Sequence, residues 1–265
     1  MNIKVRILLI RIHWLLTMQF GLDPIKMFRS ICSLPRYFRD YFKFRRAYKG
    51  RIEFVPCLYD WYEEGGTTTS EYFWQDLLVA RMIASTGPEK HVDIGSRVDG
   101  FVTHVASFRE IEVFDIRPIT TEIPGIVFKQ ADLMNLSDVY GKDSYCDSLS
   151  CLHALEHFGL GRYGDPIDSE GFESGLINMA NLVRPNGIFY LSTPIGQERV
   201  EFNANRVFDP RKIIAIADKC HLQLSDFISV QQTGERRNFL PNESELIKLA
   251  TQRYSLGIFI FTKYK

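Results

Sequence analysis

The 265-residue chain predicts an α/β fold, a doubly wound and mostly parallel sheet with helices on both faces. Three observations predict it. Short apolar strands alternate with helix-length amphipathic segments, as in chained βαβ units. His91–Pro118, HVDIGSRVDGFVTHVASFREIEVFDIRP, condenses one unit into strand, glycine-bearing turn, helix, strand and acid. The chain closes on a strong strand, Leu256–Lys263 (LGIFIFTK), reached through a surface excursion.

Taken in order, Glu71–Ser85 is a helix with apolar positions Phe73, Trp74, Leu77, Leu78, Ala80, Met82 and Ile83. In such folds this helix covers the mouth of the ligand site. His91–Ile94 is the first strand, with Asp93 near its end, and Gly95 and Gly100 flank the turn. Val98–Phe108 is a helix carrying Phe101, Val102, Val105 and Phe108. Glu112–Phe114 is the second strand, and Asp115 closes it twenty residues after Gly95. Phe128–Leu133 is the next strand-end segment and holds Asp132. Tyr145–Leu152 is the fourth strand; His153–Phe158 is a helical turn that leads into a Gly-rich loop. Asp168-Ser-Glu-Gly starts the helix Phe172–Leu182. Arg184-Pro-Asn-Gly is a turn before the fifth strand, Ile188–Ser192. Pro210–Lys219 is a helix, Leu222–Val230 the sixth strand, and Gln231–Ser255 an excursion with one helix, Glu243–Arg253.

The turn after the first strand discriminates between cofactors. A nicotinamide site needs G-x-G-x-x-G, yet Arg97 stands two residues after Gly95 and would crowd a pyrophosphate. A P-loop needs a lysine after its last glycine, where this chain has Phe101. S-adenosylmethionine (SAM) carries no phosphate and needs close backbone approach, a carboxylate for the ribose hydroxyls and a polar contact at adenine. Asp115 suits the ribose and Asp132 the adenine amino group. Asp93, Gly95, Ser96, Gly100, Ile116, Leu133 and Leu152 complete the expected cofactor set. Arg117 keeps an NADP-dependent oxidoreductase open as an alternative, since an arginine there can meet a 2′-phosphate.

With the second block, Ser144–Asp168 (SYCDSLSCLHALEHFGLGRYGDPID), the chain resembles the class I SAM-dependent methyltransferases. HVDIGSRVDGFV, FDIRP, SLSCLHALEHFGLGRYGDPID and STPIGQERVEFNANRVFDP resemble, more narrowly, the methyltransferase-like family named domain of unknown function 268. The resemblance runs from about Pro56 to about Pro210, and GLGRYGDPID is its most specific string. It implies a Rossmann-like, seven-stranded sheet whose last strand is antiparallel. Such proteins are often encoded beside polysaccharide-building enzymes, which implies a sugar or glycan-precursor hydroxyl as methyl acceptor. In the family a histidine is frequent where this chain has Asn205, which puts any role of that histidine in doubt here. Hence the second expectation, a non-catalytic SAM-binding or scaffold protein of the same fold.

A sugar hydroxyl needs a general base before it attacks the methyl group. His153, directly after the fourth strand, is the first candidate; His157, four residues on, is the second. Each is also explained by simply ordering its helical turn. Asp165 is an alternative base, or with Asp168 a candidate ligand for Mg²⁺, although their spacing matches no cation loop. The plainer explanation is that these aspartates cap turns. Arg162, Tyr163, Asn203 and Arg206 are candidates for binding the acceptor, and Thr193-Pro-Ile-Gly reaches the site from the fifth strand.

Net charge is zero, but residues 1–51 carry twelve Lys/Arg against Asp23 and Asp40, a charge of +10 balanced by −10 in the remainder. Residues 1–55 therefore read as a basic, partly apolar arm and 56–265 as the methyltransferase-like domain. Ile7–Leu22 is too short and too interrupted by Arg11, His13 and Gln19 to span a bilayer. It fits an interfacial segment, and the basic-aromatic run from Arg36 to Arg51 fits an anionic membrane surface. The competing expectation is an arm packed on the acidic domain. A nucleic-acid partner is not expected, because it calls for a more basic catalytic domain. Five cysteines without C-x-x-C spacing fit a reducing, cytoplasmic setting. CLYDWYEEGG, Cys57–Gly66, reads as a lid, an acceptor-pocket segment or a linker.

Overall fold

A computed structural model describes residues 3–135, 141 and 143–264. The chain forms two compact units, Met1–Thr67 and Thr68–Lys265. The boundary falls later than the expected one at Val55. In the first unit, Phe54 lies 4.6 Å from the ring of Tyr41, and Arg36 lies 4.1 Å over Trp61, so residues 54–62 pack on the unit's second helix. That unit holds α1 (Ile3–Phe20), α2 (Pro24–Ala47) and a 3₁₀ turn at Asp60–Tyr62, which places Cys57–Gly66 here. Asp23 caps α2, accepting from the N–H groups of Ile25 and Lys26, both at 2.9 Å.

The second unit is built on one sheet. Its strands are β1 (His91–Ile94), β2 (Ile111–Asp115), β3 (Ile126–Gln130), β4 (Cys146–Leu152), β5 (Val183–Ile195), β8 (Leu222–Val230), β9 (Arg236–Asn238) and β10 (Ser255–Lys263). The order is β3-β2-β1-β4-β5-β10-β8-β9. β3, β2, β1, β4 and β5 are parallel, and β10 runs antiparallel between β5 and β8. A hairpin of β6 (Arg199–Glu201) and β7 (Asn205–Val207) stands apart. The helices are α3 (Glu71–Thr86), α4 (Thr103–Ala106), α5 (Gly171–Leu182), α6 (Pro210–Lys219) and α7 (Glu243–Thr251).

Alternation along β10 shows why helices cover both faces. Leu256, Ile258 and Ile260 join one core with Val79 and Ile83 of α3 and Val105 of α4. Phe259 and Phe261 join the other with Leu176 and Met179 of α5 and Ile213 and Ala217 of α6.

Three expectations are corrected. The sheet has eight strands rather than seven: Arg236–Asn238 pairs with the end of β8 through a turn at Gly234, and its three exposed polar residues carry no strand signal. Val98–Phe108 is not one helix. A π turn at Val98–Val102 precedes α4, and non-helical Gly100 interrupts it; a Cβ there would meet Oδ2 of buried Asp76 at 2.9 Å. Asp132 lies beyond the end of β3, in the connection that follows it.

Candidate cofactor and active site

The carboxyl ends of β1, β2 and β4, with the connection after β3, line a cleft of about 680 Å³, open mouth included. Ligand sites in open α/β sheets lie at this edge.

The turn after β1 is shaped from below. Asp93 is fully buried, and its carboxylate accepts from the N–H of Ser96 at 3.0 Å, Oγ of Ser96 at 2.6 Å and Oγ of Ser150 at 2.6 Å. Burial outweighs these bonds and pushes its carboxyl up to about 7. Ser96 Oγ in turn accepts from the N–H of Leu152 at 3.1 Å, tying the turn to the end of β4. Gly95 then takes φ +68°, a left-handed conformation suited to glycine, and a Cβ would sit 3.0 Å from that of Ala154. Of the residues expected at the cofactor, Gly95, Asp115, Ile116, Asp132 and Leu133 line the cleft. Asp93, Ser96 and Leu152 lie beneath it, and Gly100 faces α3.

Asp115 closes β2 at the rim. Arg117 grips it with Nε to Oδ1 at 3.0 Å, Nη2 to Oδ2 at 2.6 Å and its own N–H to Oδ1 at 2.8 Å. The same guanidinium lies 4.4 Å from the ring centre of Tyr163. A carboxylate has about four acceptor positions, so ribose hydroxyls would compete with Arg117 for Asp115. Asp132 accepts from the N–H of Met134 at 2.9 Å. Ile94, Phe114, Ala131 and Leu133 supply apolar wall. These residues fit adenosine. They fit a pyrophosphate poorly, because the N–H of Gly95 is committed to the carbonyl of Phe114 and that of Ser96 to Asp93.

His153 and His157 both line the cleft, in opposite electrostatic states. His153 follows β4 with φ +52°, an unusual conformation for a residue with a side chain. Its Nδ1 is 2.7 Å from Oε1 of Glu156, its Nε2 is 3.5 Å from Oε1 of Glu71, and its ring stacks on Tyr72 at 4.5 Å. Burial disfavours the imidazolium, but Glu156 and then Glu71 outweigh burial and raise His153 to about 10. Glu156 is pushed up by burial, yet His153 holds it below the ordinary carboxylate value. Thr193 donates to Glu156 from β5 at 3.3 Å, and Tyr254 to Glu71 at 2.6 Å. His157 is lowered by burial first, with Arg162 adding to the effect against the pull of Glu156. It meets Tyr163 edge-on at 5.4 Å. The surroundings therefore favour the charged form of His153, set between Glu156 and Glu71, and the neutral form of His157.

The Gly-rich loop spends its polar groups on itself. Asp165 borders the cleft, but its carboxylate accepts from the N–H groups of Gly161 at 3.0 Å and Tyr163 at 3.1 Å. Asp168 caps the N–H of Glu170 at 2.9 Å. Among the described residues no His, Cys, Asp and Glu cluster could hold a metal ion. Arg206 does not line the cleft. It is buried and donates to the carbonyls of Phe158 at 2.5 Å, Ser169 at 3.2 Å and Asp168 at 3.4 Å, clamping both ends of the loop. Arg162 donates to the carbonyl of Ala204 at 2.8 Å, and exposed Asn203 sits on the turn of the β6–β7 hairpin; neither lines the cleft, whereas Tyr163 does. Asn205 donates to the carbonyl of Arg206 at 3.1 Å. Sequence reasoning missed Glu71, Tyr72 and Tyr254 as partners of the His153 network. The one available signal was the polar start of α3, placed at the mouth of the site.

Residues 125–222 match the model of the family described as "Caenorhabditis protein of unknown function, DUF268". No curated protein matches the chain. Among solved structures it is similar to the N-methyltransferase NodS from Bradyrhizobium japonicum WM9 in complex with S-adenosyl-L-homocysteine, at 13% identity and a TM-score of 0.51 over 74% of this chain and 89% of that one. It is also similar to the [4+2]-cyclase SpnF, at 12% identity and a TM-score of 0.51 over 76% and 86%. The CurJ carbon methyltransferase matches at 11% identity and a TM-score of 0.50 over 78% and 57%. The fold is that of the class I SAM-dependent methyltransferases.

Proposed function

We propose that the protein transfers a methyl group from SAM to a hydroxyl of a sugar or glycan precursor. One observation carries the reading: a single cleft brings together Asp115, Asp132 and the imidazole of His157. The sugar acceptor rests on the family resemblance, whose members are often encoded beside polysaccharide-building enzymes. When bound, SAM supplies a methyl carbon activated by its sulfonium. Asp115 would hold the ribose hydroxyls in competition with Arg117, and Asp132 would hold the adenine amino group. His157 takes the proton from the acceptor hydroxyl. His153, paired with Glu156 and Glu71, orders the end of β4, and the two carboxylates around one imidazolium favour a cationic ligand nearby.

Transfer of labelled methyl from SAM to sugar nucleotides and glycan acceptors tests this. His157→Gln should lower kcat by about 10²–10⁴-fold with the affinity for S-adenosylhomocysteine unchanged. In the wild type, activity should fall on acidification through a value below the usual 6.5 of histidine and be level above it, because the neutral ring is the active form. Full activity in His157→Gln would sink the assignment.

A second reading, a SAM-binding protein of this fold without methyl transfer, draws on the likeness to SpnF, a protein named for a cyclisation. It predicts binding without transfer to any acceptor and a cellular role that survives His157→Gln.

A further inference from the structure

We propose that the first unit, Met1–Thr67, docks on an anionic lipid surface. The inference is independent of the methyl-transfer reading. Of 33 exposed large hydrophobic residues among the described ones, 22 belong to the first 62 residues. They include Leu8, Leu9, Ile12, Trp14, Met18 and Phe20 of α1 and Phe28, Ile31, Phe42 and Phe44 of α2. Among the described residues of the two helices, the only buried one is Ser33. A soluble surface seldom carries so much apolar area without a partner.

Charge identifies the partner. The apolar residues of α2 share that helix with Lys26, Arg29, Arg36, Arg39, Lys43, Arg45 and Arg46, and residues 1–51, which include α1, total +10. Lysine and arginine stems lie along apolar surface while their charges reach an anionic headgroup. Tryptophan and phenylalanine sit at the same depth. Within the unit, Lys26 already lies over Tyr59 at 4.7 Å and Arg29 over Tyr62 at 5.4 Å, so cations and rings occupy one surface. A second copy offers less. Its acidic unit would answer the charge, but among the described residues only 11 exposed large hydrophobics are spread from Tyr72 to Tyr264. No helix among the described residues is long and apolar enough to cross a membrane.

The test is flotation of the full chain with vesicles of phosphatidylcholine alone or mixed equally with phosphatidylserine. The chain should float with the mixed vesicles, leave them at high salt and ignore the neutral ones. Trp14→Ser with Phe20→Ser, and separately Lys43→Glu with Arg45→Glu and Arg46→Glu, should each weaken binding at least about tenfold. Both variants alter exposed side chains; Arg45 also donates to the carbonyls of Tyr48 and Gly50 at the end of α2, so circular dichroism must show the wild-type helix content before a loss of binding counts. Four results would overturn the proposal: no flotation of the folded chain, equal flotation with neutral vesicles, capture by RNA in place of vesicles, or a dimer that Trp14→Ser dissolves while vesicle binding is nil.

Discussion

His153 and His157 stand four residues apart beside one cleft, and their surroundings shift them in opposite directions. Glu71 and Glu156 raise His153 to about 10, whereas burial and Arg162 lower His157. The first shift is also a statement about stability. A histidine raised above its unfolded value of ~6.5 stabilises the fold in full below that pH, and the contribution is lost as pH climbs toward the folded value. Glu156 acts in the opposite sense: its folded value is depressed, so its share is present at neutral pH and lost on acidification. Thermal unfolding of the wild type should therefore show a midpoint that falls between neutral pH and pH ~9.5 more steeply than that of His153→Gln. Parallel curves would contradict an imidazolium at His153. The variant should also lose about 3–5 kcal/mol at neutral pH, since Glu156 is left buried with its charge unpaired. The position of both histidines was legible, because they directly follow a strand end. Their charge states were not. Those depend on Glu71, which lies in a helix far earlier in the chain, and on the left-handed turn that aims His153 at it.

At the level of elements, the readable ones declare both their ends and their faces. Pro210–Lys219 and Leu222–Val230 occur at their expected bounds. Asp209 caps the helix, accepting from the N–H of Arg211 at 2.9 Å ahead of a first-turn proline, and the strand follows as an apolar run. β9 and the broken Val98–Phe108 helix depend on long-range contacts, with β8 and with Asp76 of α3, that no local pattern carries. β10 packs both cores, so Ile258→Ala should cost about 2–5 kcal/mol in chemical denaturation; a cost under 1 kcal/mol would mean the core around it is loose. The turn after β1 answers to a different measurement. Gly95→Ala forces a side chain into a left-handed position 3.0 Å from Ala154. It should weaken S-adenosylhomocysteine binding at least about tenfold while costing only about 1–2 kcal/mol of stability. Unchanged affinity would remove the turn from the site.

For the whole molecule, the sheet order places the acids that follow β2 and β3 and the histidines that follow β4 along one edge, although about 40 residues separate Asp115 from His157. The parallel half of the order was legible from strand, helix and acid repeated in sequence. The acceptor end was not, because Arg162, Asn203 and Arg206 serve the loop and its neighbouring hairpin instead of the cleft. The central claim is that this edge is a SAM site anchored by Asp115. Isothermal titration of the full chain with S-adenosylhomocysteine, repeated on Asp115→Ala, tests it most directly. The account predicts micromolar binding by the wild type and at least about tenfold weaker binding by the variant, the loss of a charged acceptor for two hydroxyl donors. No binding by the folded wild type, or equal binding by Asp115→Ala, would contradict it.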